Sequence, residues 1–368
     1  MASSSFWQQQ LRALRALRAL RAICSSGCLV IFGLLSVAQA WASDAMVLGA
    51  GASLSAPMIQ AWARQFSLEN KIEVRFDSVG SGEGIRRLTA RVVDFAVSDV
   101  PLTPAELAYD DLLQQPLVAG AIVPVVNVPG IRAGELKLDG PTLAAIFLGN
   151  VTQWNAPEIR VLNPDLALPT IPIRVIHRAD GSGSTFVFTH YLSDVSPVWA
   201  ERLGIGSRLR WPVGRGARGT EGVARALQET VGGIGYLEFS AAVRLQLSTV
   251  QLRHLNGRFV APGVDGIRRA LLAASWGRPG FYEVLTNRPE DDVWPIVAVS
   301  YALLPKKAPS ASDALETLKF LAWAYHRGAA LASALQYGVI EDSSLIERLQ
   351  SSWREIRDLE GRPVWGGN

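Results

Sequence analysis

The chain has 368 residues, 49% of them hydrophobic and 19% charged, which allows about two domains with sizeable cores and excludes wholesale disorder. The formal charge of +3 is an end effect: residues 1–42 carry Arg12, Arg15, Arg18 and Arg21 and no acid, and taking those four from 36 basic residues leaves 32 against 33 acidic ones, a net of −1. A nucleic-acid-coating surface is thereby excluded, and because both cysteines, Cys24 and Cys28, lie in the same stretch, so are disulfides, cysteine nucleophiles and thiolate metal sites in the remainder.

Residues 1–42 read as an export signal. An arginine-bearing start precedes an apolar run from Cys28 to Val37, and small residues follow at A-x-A spacing, with cleavage expected after Ala40 or Ala42. The run of about ten residues is short of the roughly 20 that span a bilayer. The repeated Leu-Arg-Ala triplet drifts around a 3.6-residue period, so it makes no clean amphipathic stripe. No cysteine follows the run to carry a lipid. The mature chain is expected in the periplasm.

Beyond residue 42, β-like runs rich in Val and Ile occur at Glu73–Phe76, Val93–Val97, Ile122–Val128, Ile171–Ile176 and Ile296–Leu303. Helical periods separate them. Ile59, Trp62, Ala63 and Phe66 recur at i, i+3, i+4, i+7 after Pro57, and Ile85, Leu88 and Val92 share a face after Gly84. Ala314–Ala334 and Leu345–Ile356 read as surface helices. This alternation predicts an α/β fold with mostly parallel sheets. No flexible linker divides it, which suggests a chain passing between two domains more than once.

Three loops share one chemistry: Gly49–Pro57, Gly80–Gly84, and Arg178-Ala179-Asp180-Gly181-Ser182-Gly183-Ser184-Thr185. Each puts Gly and Ser between a β-like run and a helix. Glycine lets backbone approach a ligand closely, and serine offers a hydroxyl donor. The unpaired first-turn N–H groups carry the positive end of the helix dipole. One such loop also fits an ordinary turn with a helix cap; three suggest convergence on a single anion. Arg178 adds a two-pronged donor for an oxyanion, and Asp180 either braces that guanidinium or caps a turn.

Other chemistries fit poorly. Gly214-Arg215-Gly216-Ala217-Arg218-Gly219-Thr220 begins with phosphate-loop spacing, but Thr220 stands where the lysine is required. No G-x-S-x-G elbow occurs, and His177, His190, His254 and His326 form no pair at metal-ligand spacing. No catalytic residue, cofactor or metal is expected.

In order along residues 46–368, Gly49–Pro57 with Ser53, Gly80-Ser81-Gly82, Val93–Asp99, Leu138–Leu143, Ile146–Gly149, Arg178–Phe186, Trp211–Gly214, Gly232–Tyr236 and Trp294–Ile296 resemble the phosphate-binding proteins of phosphate ABC importers, the PstS family. The resemblance implies a type II periplasmic binding protein: two α/β lobes, residues 43–118 with 296–368 and residues 123–290, joined by hinge crossings at 119–122 and 291–295, with the ligand cleft between them. It implies phosphate contacts from Ser53, the Leu54 N–H, Ser81, Asp99, Arg178, Ser182, the Gly183 N–H and Ser184, with Asp180 in support. Leu54 stands where an aromatic is common in the family and Ser184 where threonine is common. Glu83 is uncomfortable in an anion-facing loop, so its carboxylate is expected to turn to solvent or meet Arg86 or Arg87.

Asp99 gives the site its logic. A carboxylate repels an anion unless that anion carries a proton to donate. Phosphate near neutral pH does and sulfate does not, and an unpaired buried polar group can discriminate by about 10⁴–10⁵-fold. The function implied is an exported receptor handing inorganic phosphate to permease subunits with their ATPase, a monomer with no nucleic-acid partner. The alternatives are a receptor for another tetrahedral oxyanion, a phosphate sensor or adhesin without a transporter, and a secreted phosphatase; the last would need an activated nucleophile or a metal cluster.

Overall fold

Val- and Ile-rich runs bounded by Gly, Pro and Asp become the strands of one large sheet, because β-branched side chains pack well on a pleated, covered surface. The computed structural model describes residues 46–366; the export signal and its cleavage point lie outside them. The strands are β1 (Met46–Gly51), β2 (Glu73–Ser78), β3 (Phe95–Ser98), β4 (Leu112–Asn127), β5 (Lys137–Leu138), β6 (Arg174–Arg178), β7 (Arg215–Ala217), β8 (Gly233–Glu238), β9 (Ser248–Thr249), β10 (Gln251–Arg253), β11 (Phe259–Val260), β12 (Leu285–Thr286), β13 (Ile296–Pro305) and β14 (Gly338–Val339). The main sheet runs β2-β1-β3-β13-β4-β8-β6-β7, while β11-β10-β5 form a separate small one.

The expected parallel pairing holds toward both ends, where β1 lies parallel to β2 and β3, and β6 parallel to β7 and β8. The middle departs from it. β13 is antiparallel to β3 and β4, and β4 is antiparallel to β8. The reason is connectivity: β4 carries the chain out of one half and β13 carries it back. β4 pairs with β13 as far as Ala121 and with β8 from Ile122. Trp294 sits at this changeover and donates through Nε1 to the Ile122 carbonyl at 2.9 Å.

Pro116 lies inside β4 and has no N–H for the ladder. The register slips there: Ser300 pairs with Val118 and Tyr301 with Pro116, which leaves Leu117 of β4 as the extra residue of a bulge that accommodates the proline.

The Ala56–Asn70 helix buries Met58, Ile59, Trp62, Ala63 and Phe66, the face its periodicity marks out. Phe66 packs edge-on to Phe320 of the Ala311–Arg327 helix, with ring centroids 5.5 Å apart. The large aromatics of the other half, Phe147, Phe188, Trp199 and Tyr236, are buried as well. Each fully buried large apolar side chain contributes about 1.5–3 kcal/mol, and those of both halves belong to one continuous apolar core.

Residues 264–281 depart from the division expected from sequence. Gln114 Nε2 donates to the Gly280 carbonyl at 2.8 Å and Arg348 Nη2 to the Trp276 carbonyl at 2.7 Å. Gly338 lies so close to Ile267 that an added Cβ would come within 2.7 Å of it. This stretch packs with residues assigned to the first lobe, although it falls within the 123–290 span expected for the second.

Candidate functional site

β1 ends in Gly51, where the chain must pass hard against β3. A Cβ there would lie 2.0 Å from the Val97 carbonyl oxygen, and its φ is +150°, so only glycine fits. The turn that follows carries Ser53 half-buried and Leu54 fully buried, and leads into the Ala56–Asn70 helix. Ser55, at that helix's N-cap, makes no capping bond, and its buried hydroxyl has no partner among the described residues.

The second loop is tied to the first. Val79 and Gly80 both donate backbone N–H groups to the Gly51 carbonyl, at 3.0 and 2.8 Å. Gly80, at φ +87°, then opens the Ser81–Thr89 helix. Ser81 is buried, and its Oγ accepts the Asp99 N–H at 3.1 Å. The hydroxyl proton of Ser81 is therefore left to point elsewhere. Glu83 turns away from the cleft chemistry into ion pairs with Arg86 and Arg87, the latter at 2.9 Å.

The third loop follows β6, whose last residue, Arg178, is 5% exposed. Its Nε and Nη2 meet the two Asp180 carboxylate oxygens at 2.8 and 2.5 Å. Gly219 donates its N–H to the same carboxylate at 3.0 Å. Burial alone would lower the Arg178 pKa, but the Asp180 hydrogen bonds and charge, with Glu238 behind them, hold it above its ordinary value. Burial pushes Asp180 the other way, and Arg178 keeps its carboxyl below the ordinary range. Ser182 caps the Gly183–Val195 helix by accepting the Thr185 N–H at 3.3 Å. Ser184 Oγ is buried with no partner among the described residues.

Asp99 stands at the end of β3, 2% exposed. A Cβ on Gly183 would lie 2.3 Å from the Asp99 Cβ, so the third loop and the β3 end meet backbone to side chain. Gly80 and the Gly181 carbonyl approach almost as closely. Ser300 of β13, which the pairing of Tyr301 with Ser98 sets beside Asp99, donates to Asp99 Oδ1 at 2.5 Å. Burial pushes the Asp99 pKa up to about 7; Ser300 opposes, Glu238 adds to the rise and Arg178 opposes it.

These contacts gather loops from both halves of the sheet around one place. Outside it lies a cleft of about 600 Å³ lined by Ser53, Gly80, Arg178, Asp180, Glu238 and Tyr337 among others. Ser81, Asp99, Ser182 and Ser184 are buried behind the cleft wall. Among the described residues no group of three His, Cys, Asp or Glu side chains could hold a metal ion.

Sequence reasoning missed four residues here. Besides Ser55 they are Ser300, Tyr337 and Glu238. Tyr337 donates to the Leu54 carbonyl at 2.6 Å and accepts from Ser240 Oγ at 2.8 Å. Glu238 is 3% exposed and accepts the Thr220 hydroxyl at 2.6 Å, while its second oxygen is buried without a partner among the described residues. Burial raises its pKa against that hydrogen bond. The available signal was thin: a lone acid or hydroxyl closing an apolar run.

The architecture defines a class, two α/β halves on crossing strands with loops facing across a cleft, and the family model for the PBP superfamily domain matches residues 36–327. The phosphate-binding protein PstS of Pasteurella multocida is 39% identical over 87% of this chain and 93% of its own length, and that of Haemophilus influenzae 39% identical over 89% and 96%. The chain belongs to the PstS phosphate-binding protein family. Among solved structures, the periplasmic phosphate-binding protein PfluDING, with phosphate bound, aligns at TM-score 0.66 and 19% identity over 83% of this chain and 93% of its own. A phosphate ABC transporter substrate-binding protein from Clostridium perfringens aligns at 0.56 and 16%, over 80% and 100%. At those identities the structures speak to the fold.

Proposed function

We propose that this chain is the exported receptor of a phosphate importer: it takes inorganic phosphate from the periplasm and hands it to permease subunits driven by an ATPase. The observation that carries the reading is the meeting of Arg178, the Gly183–Val195 helix N-terminus and Asp99 at one buried place. Family membership supports it, as do the names of the relatives.

In this reading the Ser53, Ser81, Ser182 and Ser184 hydroxyls, the Leu54 and Gly183 N–H groups and the Arg178 guanidinium donate to phosphate oxygens. The unpartnered Ser184 hydroxyl supports its place in the set, because buried hydroxyls ordinarily find partners. Asp99 accepts the proton that phosphate carries. Asp180 is a positioning residue that fixes the guanidinium plane. Closure is a hinge motion about the crossing strands near Ile122 and Trp294. No bond is made or broken, and the protein works as a monomer.

A competition titration of purified mature protein tests the reading. Orthophosphate and arsenate should bind, since both carry a proton, and sulfate should not compete. Equal affinity for sulfate would remove the role given to Asp99. Release of phosphate from a generic ester, lost on changing Arg178, would point to a phosphatase instead.

A further inference from the structure

The glycine-spaced strip 214–220 is not a ligand loop, since the Thr220 hydroxyl is engaged by Glu238 at 2.6 Å. What the strip brings to the flanks of the third loop is charge. Between Glu201 and Glu221 the chain carries Arg202, Arg208, Arg210, Arg215 and Arg218 and no acid, on a mature protein whose charges nearly cancel overall. Arg208, Arg210, Arg215 and Arg218 are exposed, and among the described residues none of the four has an ion pair or a side-chain hydrogen bond. Arg75, Arg132, Arg244 and Arg268, by contrast, each meet a carboxylate.

Their backbone positions flank the third loop on both sides. Ser182 donates its N–H to the Ser207 carbonyl at 2.9 Å, placing Arg208 next to the helix cap. Ala179 donates to the Ala217 carbonyl at 2.9 Å and Gly219 donates to Asp180 at 3.0 Å, so Arg218 lies between two contacts to the loop. Arg215 is registered against Ile176 of β6, and Arg210 precedes Trp211, which stacks on His177 at 4.9 Å. Of the acids lining the cleft, Asp180 is matched by Arg178 and Glu221 by Arg244, while Glu238 is buried and takes the Thr220 hydroxyl; Glu83 is matched by Arg86 and Arg87.

We infer that these four arginines form a steering collar for oxyanions, raising the rate of phosphate capture without touching the bound ion. The inference rests on the phosphate reading above. Unpaired like charges around a cleft focus its field and raise on-rates for ligands of opposite sign, by about tenfold and upward. Such a field reaches far at low salt and is screened within about 8 Å at physiological ionic strength.

The test takes kon from koff, measured by chasing radiolabelled inorganic phosphate off the mature protein, and Kd from equilibrium dialysis, at about 10 and about 150 mM ionic strength. With Arg208→Gln, Arg210→Gln, Arg215→Gln and Arg218→Gln combined, kon should fall about tenfold at low salt and lose most of its salt dependence, with koff unchanged. The pair Arg208→Gln and Arg218→Gln should lie between, which guards against a misfolded quadruple variant. An unchanged kon and salt slope would overturn the collar. So would a loss confined to koff, which would make the arginines contacts. Absence of phosphate binding by the unaltered protein would instead end the phosphate reading, and the collar with it.

Discussion

Arg178 and Asp99 reach the same buried place from strands in different halves of the sheet, and the protein furnishes them in opposite ways. Arg178 has a two-point carboxylate partner in Asp180, itself held by the Gly219 N–H. Asp99 has one hydroxyl, Ser300, and a second buried carboxyl, Glu238, adding to its difficulty. The cation is therefore locked on as a fixed donor, whereas the carboxylate is poised between its two forms near pH 7. A guest that brings a negative charge suits the first group, and one that also brings a proton suits the second. In the reading proposed above, the asymmetry between the two groups is the basis for telling phosphate from sulfate.

The sharpest way to break that contrast is Asp99→Asn. It keeps the shape and an acceptor for Ser300, and it gives the site a donor that needs no proton from the guest. Sulfate, rejected by the ionised carboxylate of the unaltered protein above about pH 7, should compete with phosphate in the variant by calorimetric titration at about pH 8 and above. Continued rejection would show that sulfate is excluded by something other than the carboxylate. The same change bears on stability. A folded pKa of about 7 against the ordinary 3.8 means the native state holds a proton that the unfolded chain releases over that window. The associated stability is full below about pH 4 and is lost as pH rises through about 7. At pH 8, without ligand, the variant should be more stable by up to about 4 kcal/mol, and at pH 4 by little, as read by urea unfolding.

On the other side, Arg178→Ala removes a buried donor and strands Asp180 next to an anion. Breaking such a buried pair costs about 3–5 kcal/mol, so phosphate affinity should fall by at least about 10²-fold. Lysine should rescue little, since it offers a point charge where the geometry uses a planar fork. Full affinity in the Arg178→Lys variant would show that charge alone is at work.

A gentler probe leaves the sequence alone and varies pH. If sulfate binds only when Asp99 carries a proton, its weak affinity should fall about tenfold per unit above pH 7 and level off below, because the fraction of protonated carboxyl follows that course around a pKa of about 7. Phosphate affinity should vary much less over the same range, since its own proton can be shared. Parallel profiles for the two anions would contradict the role given to Asp99.

The parts of this contrast that were legible in the sequence are the local ones. Gly-Ser segments ahead of helices announce themselves within ten residues, and Arg178 with Asp180 sits inside one of them. The supporting residues were not legible, because strand register brings them in from far along the chain. Ser300 is a lone serine in a ten-residue strand that is buried throughout, and only the pairing of β13 with β3 sets it beside Asp99. Glu238 closes the run Ile234-Gly235-Tyr236-Leu237, where an acid reads as the solvent-facing end of a strand. The antiparallel middle of the sheet was hidden for a similar reason: apolar runs report that a strand is buried, not which way its neighbour runs. The Val264–Ala273 helix buries Ile267, Ala270 and Leu271, a pattern that does not say that Gly338 would lie against it.

The smallest expected effect comes from Tyr337, which joins the two sides without touching the guest. Its hydroxyl donates to the Leu54 carbonyl in the first loop and accepts from Ser240, just beyond β8 in the other half. Tyr337 and Leu54 lie in the same half, so only the bond from Ser240 spans the two, and in a hinge mechanism that bond favours the closed form. Each is worth about 0.5–1.5 kcal/mol net. Tyr337→Phe keeps the buried ring and removes both. Phosphate should then leave several-fold faster, with its rate of entry little changed, because the Ser240 bond forms only after the ion is inside. A variant that lost kon instead would place Tyr337 in the shaping of the open cleft, and the contrast between a fixed cation and a poised carboxylate would then need no closing contact beside it.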